Sequence, residues 1–575
     1  MKKYESLDAR HYFCAIAIAG ILLYGKTVFF EFTYADDTQL IVVNSEFLSN
    51  LSNIPKLFSR DVFISMPNTA VFFRPLLNLS LMIDASIGGT SPWMYHITNL
   101  LLHIGCSMLL FLVLHQLGRR KIVAGIVALF FTVHPLLTSA VAWIPGRNDS
   151  LMTFFILLSF LFFLKWITRD DTFHLTLHLV FFFLALLTKE SAVVFPLFPL
   201  AYALFPAPKR VKRTKLMIPL AGWAVLIGTW LILRSNVLQT YEISRNVEAT
   251  ALSGISKLPA FLLYLGKAVF PFNLSVFPNL SDDTLLWGFL ALVALLAGFI
   301  RHKRHDAKLA MFGLAWFTLF LLPTFLTGSI LHEHRAYCSI VGFSLVISEL
   351  PFWKQLDLSK KTTIGFVGGI VLLFGTISFA HSENFRNRQS YSTNVFTRSP
   401  SLDESITSMA GMLIDRGDTT AAERVLLQGI SKNPNVGIAR RMLADLYASR
   451  GEFEKAEREY LFALELDPLH LYTYVNYGKM CLNQGRLEDA ERLWRQTVAV
   501  NPDFILGYYL LANFSLLNRD DPETARLYTR EIEKRGVRVM PELLSRIANH
   551  PKSRSVPNGG STDEEPSQKS SDRSK

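Results

Sequence analysis

The chain has 575 residues, 45 of them Phe, and half of all its residues are apolar; a mean hydropathy of +0.28 excludes an ordinary soluble protein of this size. The net charge of +11 raises nucleic acid as a partner. However, the Lys and Arg residues gather in short connections between apolar runs, at Arg119-Arg120-Lys121, Lys209 to Lys215, Arg301 to Lys308 and Lys354 to Lys361. Such placement orients a chain in a membrane rather than reading a phosphate backbone, and no basic and aromatic stripe accompanies it, so no nucleic-acid partner is expected. Cys14, Cys106, Cys338 and Cys481 have no metal-binding spacing and predict neither a zinc site nor a disulfide framework.

Roughly 20 apolar residues cross a bilayer core as a helix. Residues 12–30 form the first such run, read as a retained span rather than a removed leader because no small-residue cleavage site follows. A polar stretch, 31–92, comes next. Further runs lie near 95–115, 122–143, 150–168, 173–188, 191–206, 216–233, 284–300, 309–327, 336–353 and 362–380. About eleven spans with the basic connections in the cytoplasm place residues 31–92, 134–150, 188–191, 234–283 and 328–336 outside, with everything after residue 380. The apolar segment 258–277 fits this alternation as a surface-lying or re-entrant helix; if it spans, the parity changes.

From residue 381 the composition becomes that of a soluble protein, with an internal repeat. Gly417, Gly451 and Gly485 are spaced by 34 residues, as are Ala422, Ala456 and Ala490, and Pro434, Pro468 and Pro502. A period of 34 with Gly at a tight turn, Ala at a close helix contact and Pro after the second helix predicts tetratricopeptide helix pairs over 402–540. Three units are clear and a fourth, with Ala525 one residue out of register, is degenerate. Such arrays bind extended peptide or a partner helix. The tail 551–575, rich in Ser, Pro, Lys and Asp, lacks the apolar residues for a core and is expected to be disordered. The predicted fold is therefore all-α: a membrane bundle over 1–383 and a repeat solenoid.

Ionisable residues are costly at membrane faces, so several on one side point to a site. Asp36-Asp37 follows the first span, and two adjacent carboxylates suit a divalent cation, Mg2+ or Mn2+, or a general base. The alternative is a solvated loop or helix cap. Phe73-Arg74-Pro75 follows, then His96, Asn99 and His103 on one helix face, His103 being the deeper and more structural. His134-Pro135 and Gly146-Arg147-Asn148-Asp149 lie on another outer loop, Lys189-Glu190 at a hairpin tip, and His332-Glu333-His334-Arg335 after the ninth span. The last is not the zinc arrangement HExxH. Each could be an interfacial anchor; together they suggest a pocket for an anionic lipid-linked head group, with Arg74, Arg147, Lys189 and Arg335 on its phosphate. His96, Asn99, His134, Asp149, Glu190, Glu333 and His334 would line it.

At these residues the chain resembles the TMTC-type membrane proteins with tetratricopeptide repeats, within the GT-C glycosyltransferase superfamily. The resemblance runs from Tyr34-Ala35-Asp36-Asp37 through Phe73-Arg74-Pro75-Leu76, Tyr95-His96, Asn99 to His103, His134-Pro135, Gly146-Arg147-Asn148-Asp149, Lys189-Glu190 and Glu333-His334-Arg335-Ala336-Tyr337 to the repeats. It implies inverting transfer of a sugar, mannose in eukaryotic relatives, from a polyprenyl-phosphate donor to Ser or Thr of a protein. One of Asp36 and Asp37 would be the base and metal-facing carboxylate, and Arg147, Lys189 and Arg335 would contact the donor phosphate. Ser139 stands where many relatives have an acidic residue, which bears on activity or acceptor type. The shorter repeat array suggests a bacterial member, in the inner membrane with repeats in the periplasm; the alternative is the endoplasmic reticulum membrane with repeats in the lumen. Rival readings are transfer to a glycolipid or envelope polymer, a non-catalytic membrane-anchored repeat scaffold, and transport. Transport is disfavoured because the charges sit at one face rather than the midplane.

Overall fold

The computed structural model describes residues 8–64, 72–205, 213–238, 256–300, 307–326, 331–350, 353, 361–535 and 537–551. Most of the basic connections at 209–215, 301–308 and 354–361, and the tail after Pro551, lie outside these. The described residues are helical with no strand, and they cluster into two units, 1–433 and 434–575.

Each predicted apolar run carries a helix. Six are long and apolar enough to cross a membrane: Ala9–Phe29, Pro92–Gln116, Ile144–Arg169, Thr214–Val237, Lys308–Phe325 and Thr362–Phe385. Lys121–Val133 and Pro135–Ala142 form a pair bent by 52° that would make a seventh. The protein is thus a polytopic helical bundle, with six or seven span-length elements among the described residues rather than about eleven. Two of the runs are broken locally: Pro135 and Pro196 remove backbone donors inside 122–143 and 191–206, and short 3₁₀ turns replace α-helix at Pro135–Leu137 and Glu190–Val194. Runs 173–188, 284–300 and 336–353 carry helices shorter than a span. Segment 258–277 yields a helix of ten residues, Ala260–Val269, about half the length that a crossing needs.

The described residues of 31–92 are not an open loop. Phe32, Ile41, Leu48, Leu57, Leu81 and Met82 form a separate apolar core, and the helix Pro75–Gly88 covers one end of the bundle. Inside the bundle, helices Ala307–Leu326 and Tyr337–Ser348 meet at two glycines. A Cβ on Gly342 would sit 2.5 Å from the Gly313 carbonyl oxygen, and one on Gly313 would sit 2.7 Å from the Gly342 carbonyl oxygen. Such close approach, open to small residues alone, is how membrane helices gain packing contact without a hydrophobic driving force.

The repeats follow the sequence period. Gly417, Gly451 and Gly485 have φ of 81°, 78° and 75°, a left-handed turn that glycine takes without strain. Ala422, Ala456 and Ala490 are fully buried. The first pair, Asp403–Asp415 and Thr419–Lys432, belongs to the first unit. In the second unit Asp520 takes the turn conformation, φ 55°, one residue past the expected glycine position, so turn and Ala525 are displaced together. The helix Pro541–Ala548 then closes the apolar end through Leu543 and Ile547, as a solenoid requires.

The glycine contact predicts a contrast between two mid-helix positions. Gly342→Val should destabilise the bundle by about 1–3 kcal/mol through overpacking, read as a lower thermal midpoint in lipid. Gly375→Val, at a position with nothing within 4 Å, should cost far less.

Candidate active site

The site is framed by a buried cation. Arg147 opens the helix Arg147–Arg169 and is fully buried. Its guanidinium lies 2.5 Å from Asp84, and donates to Asn99 Oδ1 and to the Tyr95 carbonyl, both at 2.7 Å. Asp84 also accepts from Thr98 at 2.6 Å, and the Asn99 amide faces the carbonyls of Val141, Trp143 and Ile144. These contacts tie the capping helix Pro75–Gly88 to two spans.

Beside this clamp is a cavity of about 140 Å³. Asp36, Arg74, Asn148, Asp149, Lys189, Glu190, His332, His334 and Arg335 line it, gathering residues from five separate sequence clusters. Lys189 Nζ lies 2.7 Å from Asp149 and donates to Asn148 at 3.1 Å. Arg74 donates from both sides of its guanidinium to Glu190, with the Nε bond 3.0 Å long. Burial would raise the Glu190 pKa, but the charge and hydrogen bond of Arg74 outweigh it and hold the carboxyl down at about 2. Burial lowers the Lys189 pKa, with Asp149 opposing and Arg74 and Arg335 adding to the fall. His332 and His334 are pushed well below the ordinary imidazole range, first by burial, with Arg335 and Lys189 contributing; both are neutral rings at pH 7.

The two aspartates part company. Asp36 opens onto the cavity; enclosure by its walls raises its pKa, with Arg335 and Arg74 opposing. Asp37 is buried away from the cavity. Its Oδ2 accepts from the Thr33 amide at 2.7 Å and from the Thr33 hydroxyl, which in turn accepts from Trp143 Nε1 at 3.1 Å; Oδ1 has no hydrogen-bond partner. Burial raises the Asp37 pKa to about 7 against the bonds from Thr33. Asp37 therefore holds the loop and Trp143, a tryptophan on the cavity wall.

Several expected pocket residues sit elsewhere. Arg147 and Asn99 form the clamp, and the phosphate role expected for Arg147 gives way to the Asp84 pair because every face of its guanidinium is engaged. His96 is buried against Phe30. His134 caps the turn at Leu136 and faces the Ala268 carbonyl at 3.0 Å. Glu333 is fully buried behind the cavity, accepting from Lys267 at 3.0 Å and from the Ser275 amide at 2.8 Å, and lying 3.0 Å from His381. The residues do not compose a metal cage: Asp37 is turned away, Asp149 and Glu190 are bound to Lys189 and Arg74, and among the described residues no group of three His, Cys, Asp or Glu converges.

His332 and Trp143 also line the cavity; His332 stands in the His332-Glu333-His334-Arg335 cluster, and Trp143 lies three residues before Gly146-Arg147-Asn148-Asp149. Lys267 was missed outright, and its signal was a cation inside the apolar segment 258–277.

Against known proteins, a tetratricopeptide-repeat family model matches residues 413–470. Mouse "Protein O-mannosyl-transferase TMTC3" is 22% identical over 84% of this chain and 60% of its own length. The human TMTC3 protein is 21% identical over 85% of this chain and 61% of its own. Mouse "Protein O-mannosyl-transferase TMTC2" is 34% identical over 25% of this chain and 18% of its own. The chain is a relative of the TMTC proteins. It spans about three fifths of the length of the TMTC3 proteins it matches. These relatives are animal proteins, and the expected bacterial origin finds no support in them. The crystal structure of MamA covers 31% of this chain and 95% of its own at 15% identity, with a TM-score of 0.23, too low to carry weight.

Two outcomes follow. Arg147→Met should destabilise the protein by about 3–5 kcal/mol, because Asp84 is left buried and unpaired, and restoring balance with Asp84→Asn in the same chain should recover part of the lost thermal midpoint. For Asp37 the folded pKa lies above the ordinary carboxylate value, so the folded protein binds the extra proton. Stability from that proton is present at low pH and lost as pH rises through about 7. The midpoint of wild type relative to Asp37→Asn should therefore fall between about pH 5 and about pH 8; an unchanged difference would remove the raised pKa.

Proposed function

We propose that the chain is a GT-C-type membrane glycosyltransferase that moves a sugar from a polyprenyl-phosphate donor to a Ser or Thr hydroxyl of a protein. The observation that carries the reading is Asp36 in one cavity with Arg74, Lys189 and Arg335. Glycosyl transfer calls for one carboxylate near the acceptor and cations near a departing phosphate.

In this mechanism the acceptor oxygen attacks the anomeric carbon as its proton passes to the Asp36 carboxylate. The bond from that carbon to the phosphate oxygen breaks, its electron pair leaves with the polyprenyl phosphate, and the sugar's configuration inverts. Three cations, Arg74, Lys189 and Arg335, and three carboxylates, Asp36, Asp149 and Glu190, line the cavity. Protonation of Asp36 thus frees positive charge as negative charge appears on the leaving phosphate. In this reading the basic connections stay cytoplasmic and the cavity lies on the opposite face of the membrane. The relatives' name, protein O-mannosyl-transferase, makes mannose the first sugar to try and a polypeptide the first acceptor.

The test is release of polyprenyl phosphate from a panel of polyprenyl-phosphate sugars by purified protein in lipid, with Ser/Thr peptides present. Asp36→Asn should lower turnover by about 10²–10⁴ with the thermal midpoint retained, and Asp37→Asn should lose about tenfold, through the loop it holds. The reverse order would make Asp37 the base. Because cations occupy the phosphate side, chelation by EDTA should leave turnover within about twofold; a larger loss would place Mg2+ or Mn2+ on Asp36. No release from any donor by wild type would return the protein to the scaffold reading.

A further inference from the structure

A second cavity adjoins the first within the same unit. Asp36, Trp143 and His332 line both. The second cavity is otherwise walled by Tyr34, Arg388, Tyr391, Glu404, Thr407 and Ser408, among others. Trp143 lines both, its ring stacked 6.2 Å from His332 and 6.2 Å from Tyr391. The phosphate-side residues Arg74, Lys189 and Arg335 line the first cavity and not the second.

Two details mark the second cavity as built to hold something. The Tyr391 hydroxyl is buried with no hydrogen-bond partner, and so is His332 Nδ1. Buried polar groups are rarely left unpaired, and these two belong to residues of the cavity wall. Tyr34, at φ 56°, occupies a backbone region that a bulky residue seldom adopts and is half exposed at the same wall. The opposite wall is one face of the helix Asp403–Asp415, presenting Glu404, Thr407 and Ser408 at helical spacing. That helix is the first of the repeat array.

We propose that this second cavity is the acceptor subsite, taking an extended polypeptide segment whose Ser or Thr hydroxyl reaches Asp36 past Trp143. The inference rests on the transferase reading and adds the route by which the acceptor arrives. Backbone amide and carbonyl groups of the segment pair with the Tyr391 hydroxyl and His332 Nδ1, and aromatic side chains flank it. Donor and acceptor then occupy separate cavities that share Asp36, which leaves the acceptor hydroxyl beside the base and the phosphate among Arg74, Lys189 and Arg335.

The test uses the full chain in lipid nanodiscs with a synthetic Ser/Thr-rich peptide, and Thr407→Trp to fill the subsite from the repeat-side wall. Peptide KM should rise about tenfold or more, while the KM for donor and the slow hydrolysis of donor by water stay within about twofold. Ser408→Phe is the second variant if Thr407→Trp does not fold, and Tyr391→Phe should raise peptide KM without moving donor KM. An unchanged peptide KM in the filled variants, with wild type active, overturns the subsite and leaves the transferase reading standing. If wild type releases no polyprenyl phosphate, the transferase reading fails separately, and a benzophenone-bearing copy of the peptide still decides the subsite. Cross-links to residues 388–408 that vanish in Thr407→Trp support it. Cross-links confined to the later repeats overturn it, as does labelling there by an oligosaccharide probe alone.

Discussion

The pair between Arg147 and Asp84 is the contact on which the site depends. Its two charges are sealed from solvent, a placement whose desolvation cost is offset only when every donor is matched. The match is close here, with Asn99, the Tyr95 carbonyl and Thr98 completing the shell. What the pair secures is position. Asp84 lies on the helix that begins directly after Arg74, and Asp149 lies two residues after Arg147 on the same helix. Locking Arg147 to Asp84 therefore sets the distance between the two ion pairs, Arg74 with Glu190 and Lys189 with Asp149, that line the cavity.

A parallel network fixes the other wall. Glu333 binds Lys267 and the Ser275 amide and reaches His381, and Lys267 also approaches Asp283 at 3.8 Å. The short helix Ala260–Val269 is thereby tied to the turn Glu333–Ala336 and to the end of the helix Lys361–Ser382. His332, His334 and Arg335 flank Glu333 on that turn, so their placement rests on a residue that does not itself face the cavity. Buried charge here acts as scaffolding, and the cost of each charge is met by a partner from a distant part of the sequence.

That division of labour explains what was legible in the sequence. The repeats were fully legible, because Gly417, Gly451 and Gly485 answer a local backbone demand and Ala422, Ala456 and Ala490 a packing demand that recurs at a fixed interval. The gathering of Arg74, Asp149, Lys189, Glu190 and Arg335 was legible too, since charged residues beside apolar runs are expensive and several of them point to a shared site. The role of each was not. A guanidinium suits a phosphate and a carboxylate equally well, and nothing local distinguishes Arg147, which has Asp84 to bind, from Arg335, which lines the cavity. Likewise Asp36 and Asp37 are neighbours, and only the fold shows that Thr33 captures one of them. Pro196 and the 3₁₀ turns shortened runs that hydropathy alone joined into spans, because hydropathy does not register a missing backbone donor.

The balance of charge in the cavity carries the synthesis one step further. A strongly cationic pocket would bind any phosphate, including the spent polyprenyl phosphate, and would release it slowly. Here each of Arg74 and Lys189 already has a carboxylate partner, so a donor phosphate joins an existing alternation of charge instead of filling a vacant cationic trap. Uniform binding of donor and product would lower KM without speeding the reaction. In the proposed transferase the attraction grows when Asp36 gains the acceptor's proton and ceases to oppose the cations, at the stage when the phosphate is acquiring its charge. The pairs that seem to squander the cations' affinity for a phosphate are what reserve it for the transition state.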